Sequence, residues 1–162
     1  MRALRTFAMI VVAVLVAQLG AASAQPAPQD GLAKRFVGTW RLYSITVNGK
    51  PSERRGPQPT GILVYDAYGT VAAQIMADRP RPKFAASQPT PDEAKTALAS
   101  YLAYFGTYTI DERAGTVTHH RTGHINPGAA IDVMRQYRFV GEDRLILAPA
   151  EGSESLTWDR IK

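Results

Sequence analysis

The chain has 162 residues and no cysteine. That excludes disulfides, thiol nucleophiles, thiolate metal ligands and acylation on an N-terminal cysteine. A single domain of this length can bury a core without such staples. No Gly-x-Ser-x-Gly elbow, Gly-rich phosphate loop or dinucleotide fingerprint occurs, so no cofactor is expected. Ser44, Ser87, Ser100, Ser153 and Ser155 have no histidine at a telling spacing, which leaves nucleophilic-serine chemistry without support. Long apolar runs are missing too. Phe7 to Ala17 reads FAMIVVAVLVA and is too short to span a bilayer comfortably.

That run fits a different purpose. Arg2 and Arg5 precede it, and Ala22-Ser23-Ala24 follows with the small-x-small pattern of a signal peptidase site. Residues 1–24 therefore read as a signal peptide cleaved near Ala24, and the protein as periplasmic or secreted, with no stable membrane insertion afterwards. Residues 25–35 begin QPAPQDG and read as a mobile leader, and residues 36–162 as the folded domain.

The 19 basic and 14 acidic side chains give a formal charge of +5. Losing Arg2 and Arg5 with the signal lowers it to +3. The remaining arginines are scattered rather than set along one helix, which argues against a nucleic-acid partner.

What the chain has in abundance is short strands. Eight candidates are Thr39–Val47, Gly61–Tyr65, Thr70–Ala77, Gly106–Asp111, Thr116–His124, Asp132–Val140, Arg144–Ala148 and Ser155–Ile161. Turn signals such as Asp66-Ala67-Tyr68-Gly69 and Gly141-Glu142-Asp143 separate them, so sequence neighbours should pair antiparallel. Between the third and fourth, Thr90-Pro91-Asp92-Glu93 opens a helix with a capping residue, an early proline and first-turn acids. Ala94, Ala97, Leu98, Tyr101 and Leu102 continue it at helical spacing, to an end near Tyr104. The expected fold is all-β: an eight-stranded antiparallel up-and-down barrel with one helix between strands three and four.

Several segments carry a resemblance. Gly38-Thr39-Trp40 opens the first strand as the G-x-W motif opens lipocalin barrels. GTWRL (38–42), GILVYDAYG (61–69), AQIM (73–76), DRPR (78–81), YLAYFGTY (101–108) and GTVTHH (115–120) run in the order of the bacterial and fungal lipocalin-like domain family, over nearly all of residues 36–161. The resemblance implies an eight-stranded barrel with a helix after the third strand. It also implies that Arg160, late in the barrel, packs over Trp40 by a cation–π contact. Functions in that family are mostly unassigned. Some relatives stand beside polyketide pathways, where cyclase or isomerase roles are proposed. The chain departs from the family after His124, where Asn126-Pro127-Gly128-Ala129-Ala130 is shorter and lacks a tryptophan common there.

Strand alternation sorts side chains by face. In the sixth strand Val133, Arg135, Tyr137 and Phe139 should point inward. In the fifth, Val117 marks the inside and takes His119 and Arg121 with it. Tyr108 and Ile110 read as inward in the fourth, Leu145 and Leu147 in the seventh, and Leu156 and Trp158 in the eighth. The third strand is ambiguous, with Gln74 and Met76 opposing Val71, Ala73 and Ile75. The first is apolar on both faces, so the helix is expected to cover its outside.

An arginine inside a barrel needs an anionic or hydrogen-bonding partner. Arg135, His119, Tyr108 and Tyr137, with Gln74 and Met76 in reach, are the candidate ligand-binding residues. His119 is also the candidate catalytic residue, as a proton carrier, with Arg135 or a tyrosine holding an oxyanion. The alternative is a hydrogen-bonded core network. A metal site is not expected. Adjacent strand residues face opposite ways, and His120 and His124 stand about 13 Å apart at the usual strand rise, against ligand distances of about 2 Å. Three functions follow in order. The first is a carrier or sensor of a small hydrophobic or amphipathic ligand, anionic in one version. The second is a cyclase or isomerase acting on a polyketide-like carbonyl compound in the same cavity. The third is a filled barrel that serves as a structural or interaction module.

Overall fold

The computed structural model describes residues 31–162. The proposed signal and most of the proposed leader lie outside the described residues. The described residues open with a short helix, α1 (Leu32–Phe36). Residues 32–35, expected in the leader, are therefore helical, because Phe36 is wholly buried and fixes the turn before it.

Nine strands follow: β1 (Gly38–Val47), β2 (Lys50–Pro51), β3 (Thr60–Tyr65), β4 (Thr70–Met76), β5 (Tyr101–Asp111), β6 (Thr116–His124), β7 (Asp132–Val140), β8 (Arg144–Ala148) and β9 (Glu154–Arg160). β2 is a two-residue flap on β1. The other eight pair antiparallel with their neighbours, and β1–β9 pairing closes them into an up-and-down barrel. Closure leaves no long unpaired edge. The expected architecture is thus present, with a helix α2 (Pro91–Ala99) between β4 and β5.

α2 carries the predicted capping box, with Thr90 and Glu93 bonding each other's backbone N–H. It ends at Ala99, five residues before the end near Tyr104 expected from spacing. Tyr101–Tyr104 instead pair with β4, in register from Met76↔Tyr101 to Ala73↔Tyr104. A strand already templated by β4 wins over a weakly amphipathic helix tail. The helix also does not cover β1. It touches β5 and buries no side chain. The two apolar faces of β1 have another cause: a bulge between Leu42 and Ser44 shifts the alternation. Trp40, Leu42 and Ile45 all turn inward, while Tyr43 stays outside under the Arg144 guanidinium, 4.4 Å from its ring centre.

One end of the barrel is sealed. Phe36 packs edge-on against Tyr65, Tyr137 and Phe139 at ring-centre distances of 5.0–5.3 Å. Trp40 Nε1 donates to the Phe36 carbonyl at 2.8 Å. Arg160 lies 4.0 Å from the Trp40 ring and donates to the carbonyls of Arg35 and Val37. Gly38 is required beneath it: its φ is +138°, and a Cβ there would come within 2.7 Å of Arg160 Nη1. Gly38→Ala should cost about 1–3 kcal/mol in urea unfolding, through backbone strain and the displaced guanidinium. Retained wild-type stability would mean that Arg160 does not clamp the seal.

The other end carries the long connections: residues 48–59, 77–100, 125–131 and 149–153.

Candidate functional site

Four strands, β3, β5, β6 and β7, bring the polar interior together. β6 turns Val117 and His119 inward, and both are buried. The His119 ring is held at both nitrogens. Nε2 meets the Tyr65 hydroxyl at 2.6 Å, and Nδ1 meets the Tyr104 hydroxyl at 2.8 Å. β7 alternates as expected, with Val133, Arg135, Tyr137 and Phe139 half-buried and the residues between them exposed. Arg135 stands with His119, Tyr104 and Arg121 around one cavity in the open half of the barrel.

That cavity measures about 70 Å³. Its floor and walls are apolar, with Ile45, Leu63, Ile75, Leu102, Leu147 and Leu156 among them. Four arginines line it, Arg54, Arg55, Arg121 and Arg135, against one carboxylate, Glu154. Arg54 reaches Glu154 at 3.8 Å near solvent. Arg55 comes from the 48–59 loop yet is only 4% exposed. Its backbone is pinned by Ser52, whose carbonyl accepts from the Arg55 and Gly56 amides, and by the Asp78 amide, which donates to the Arg55 carbonyl. Arg121 stacks on the Tyr104 ring at 4.5 Å.

Among the described residues three buried N–H groups have no hydrogen-bond partner: Arg55 Nη1, Arg121 Nε and Trp158 Nε1. All three residues line this one cavity. Buried donors are nearly always paired in folded proteins, because an orphan keeps its desolvation penalty. Here the orphans are all donors, and two belong to guanidinium groups.

Burial sets the protonation of the cluster. It lowers His119 to a pKa of about 3, with Arg135 and Arg121 adding to the effect. It raises Tyr104 to about 12 and Tyr65 well above the ordinary tyrosine value. It also lowers Arg55 and Arg121, each further depressed by a neighbouring arginine. Near neutral pH the cluster is therefore neutral imidazole, two neutral phenols and a set of crowded guanidinium charges. A base of pKa about 3 removes protons poorly at neutral pH, which weakens the role of His119 as general base.

The remaining candidates fall elsewhere. Tyr108 is buried and inward, but its hydroxyl donates to the Asp66 carbonyl at 2.9 Å, toward the sealed end. Tyr137 packs on Phe36, also at the sealed end. Gln74 and Met76 point outward, since Val71, Ala73 and Ile75 take the inner face of β4. Gln74 accepts from the Tyr101 hydroxyl on the outer surface. Gly38, Trp40 and Arg160 belong to the seal.

The histidines are also arranged differently from strict alternation. A bulge in β6 skips Thr122, between the pairs Gly106↔Arg121 and Phe105↔Gly123. His124 thereby pairs with Tyr104 and stacks on its ring, instead of sharing the face of His120. His120 bonds Thr109 and Asp132 on the outside. Among the described residues no three histidine or acidic side chains gather as a metal site.

A larger cavity of about 560 Å³ lies outside the barrel, between residues 81–84 and α2. Most of its lining is exposed, and no orphaned donor faces it.

A closed antiparallel barrel with a sealed base and a polar upper interior defines a ligand-binding type of domain. The lipocalin-like domain profile matches residues 37–161, and the chain belongs to that family. No curated protein matches it. Among solved structures it is similar to a redesigned β-barrel, at 14% identity and a TM-score of 0.41, over 80% of this chain and 95% of that one.

Proposed function

We propose that this protein binds a small organic anion, with its carboxylate or enolate oxygens in the arginine-lined cavity and its apolar part against the upper barrel wall. The carrying observation is the trio of unpartnered N–H donors on Arg55, Arg121 and Trp158 in one cavity. Acceptor oxygens of an anion would satisfy them and relieve the crowding of like charge. The cavity is small because Tyr65, Trp158 and the sealed base fill much of the barrel. It takes a compact ligand, or the head of a longer one whose tail leaves by the mouth. Export to the periplasm or medium belongs to this reading, on the strength of residues 1–24.

The neutral His119 favours a carrier or sensor over a cyclase. A third reading, a filled interaction module, predicts no ligand at all. Calorimetric titration with butyrate through decanoate, set against the amides of the same chain lengths, separates these readings. Carboxylates should bind and amides should not. Equal binding of both, or binding of neither, would sink the anion reading. Glu154→Gln removes the one carboxylate of the lining and should tighten carboxylate binding about threefold to tenfold. Weaker binding would place Glu154 on the ligand's side of the account.

A further inference from the structure

The hydrogen bonds around His119 have a direction that can be deduced. A neutral imidazole offers one N–H donor and one lone-pair acceptor. With a tyrosine hydroxyl at each nitrogen, one hydroxyl must donate and the other must accept. Tyr65 decides which. It is 1% exposed, and its ring neighbours are Phe36, Tyr108 and His119. Among the described residues its hydroxyl makes one hydrogen bond, to His119 Nε2. If Nε2–H donated to Tyr65, the Tyr65 proton would be left unpaired among aromatic rings. That loss disfavours the arrangement by a factor of roughly ten to a hundred. So Tyr65 donates to Nε2, the imidazole carries its proton on Nδ1, and Nδ1–H donates to the Tyr104 oxygen. The Tyr104 proton then has to point away from His119. Tyr104 lines the cavity.

We propose that the Tyr65–His119–Tyr104 chain is a one-way hydrogen-bond relay that makes the Tyr104 hydroxyl a donor to the bound anion. Tyr104 is then a ligand-binding residue, while Tyr65 and His119 are positioning residues that set ligand preference without touching the ligand. This rests on the anion reading and sharpens it. Apart from Glu154, which Arg54 engages near solvent, the polar groups offered to the ligand's head are then donors: Arg55, Arg121, Arg135, Trp158 and Tyr104. The site therefore selects heads that only accept, namely carboxylates and enolates, over acids and alcohols of similar shape that must also donate.

Two measurements test this together. Nitrogen-15 NMR of histidine-labelled protein reads the tautomer of His119 directly, with His119→Gln supplying the assignment. The wild-type protein should show His119 protonated on Nδ1, and Tyr65→Phe should move it toward Nε2 protonation. Butyrate titration of Tyr65→Phe, Tyr104→Phe and the double variant reads the consequence. Each single variant should lose about tenfold in affinity. The double variant should lose little more than Tyr104→Phe alone, since both act through one O–H. An Nε2-protonated wild type, or losses that add, would overturn the relay while leaving the anion reading intact. If no carboxylate binds the wild type, the anion reading fails and takes the role of Tyr104 with it, whatever the tautomer.

Discussion

Lowering the pH from 7 to 4 should remove up to about 3 kcal/mol of the folding stability of this protein, and His119 should be the main reason. Burial holds its folded-state pKa near 3, against an ordinary value of 6.5. Below pH 6.5 the unfolded chain takes up a proton that the folded chain refuses. Stability is therefore fully present above about pH 6.5 and falls as the pH drops from there toward 3. The whole shift corresponds to at most about 5 kcal/mol, comparable to the total stability of many domains. Urea midpoints between pH 7 and pH 4 measure it. His119→Gln keeps a donor and an acceptor between the tyrosines but cannot titrate in this range. It should be less stable at pH 7 by about 1–3 kcal/mol, and its stability should fall far less steeply below pH 6.5. Parallel pH profiles in the two proteins would show that His119 is accessible to protons and that the cavity is wetter than its lining suggests.

That histidine was legible in the sequence because β7, and β6 as far as Arg121, follow simple alternation. Val117 is an inward marker two residues before His119, and Val133, Tyr137 and Phe139 frame Arg135 in the same way. The barrel itself was readable from turn chemistry and the count of short strands. The partners of His119 were not. Tyr65 ends a strand whose sequence says nothing of what lies across the barrel. Tyr104 was hidden in a segment with apolar spacing suited to a helix, and only the template of β4 makes it a strand. Arg55 comes from a loop, where no periodicity tells inside from outside. Its burial depends on backbone bonds to Ser52 and Asp78 that join distant parts of the chain. Arg121 did carry a signal, since it shares the parity of Val117 and His119.

Bulges account for the other departures. Alternation assumes one residue against one. A single extra residue in β1 turns Ile45 inward, and one in β6 moves His124 from the face of His120 to that of Tyr104. Neither is marked by composition. Gln74 and Met76 were lost for a simpler reason. Val71, Ala73 and Ile75 form the more apolar face of β4 and take the inside, but Ala72 and Met76 dilute the polarity of the other face and blur the contrast.

The same crowding of charge yields the last prediction, and it separates a binding site from a structural core. Arg135→Met should weaken carboxylate binding about a hundredfold or more and at the same time stabilise the empty protein. Removing one partner of a desolvated charge contact costs about 2–5 kcal/mol of binding, and a bound anion would complete the burial of the half-buried Arg135 guanidinium. In the free protein Arg135 has no ion-pair partner among the described residues, and its hydrogen bond to the Met134 carbonyl is long at 3.3 Å. It adds to the burial that lowers Arg121 and His119. An apolar side chain of similar length would lose that repulsion and keep the packing. A gain of about 1 kcal/mol, or a few degrees in Tm, is expected. Wild-type protein should recover the difference on adding saturating carboxylate, since a ligand bound only by the folded state stabilises it. A destabilised Arg135→Met would mean that Arg135 holds the barrel together, and the arginines would then be a core network with no ligand to serve. Stability gained together with binding lost is the signature of a site kept under electrostatic strain for its ligand.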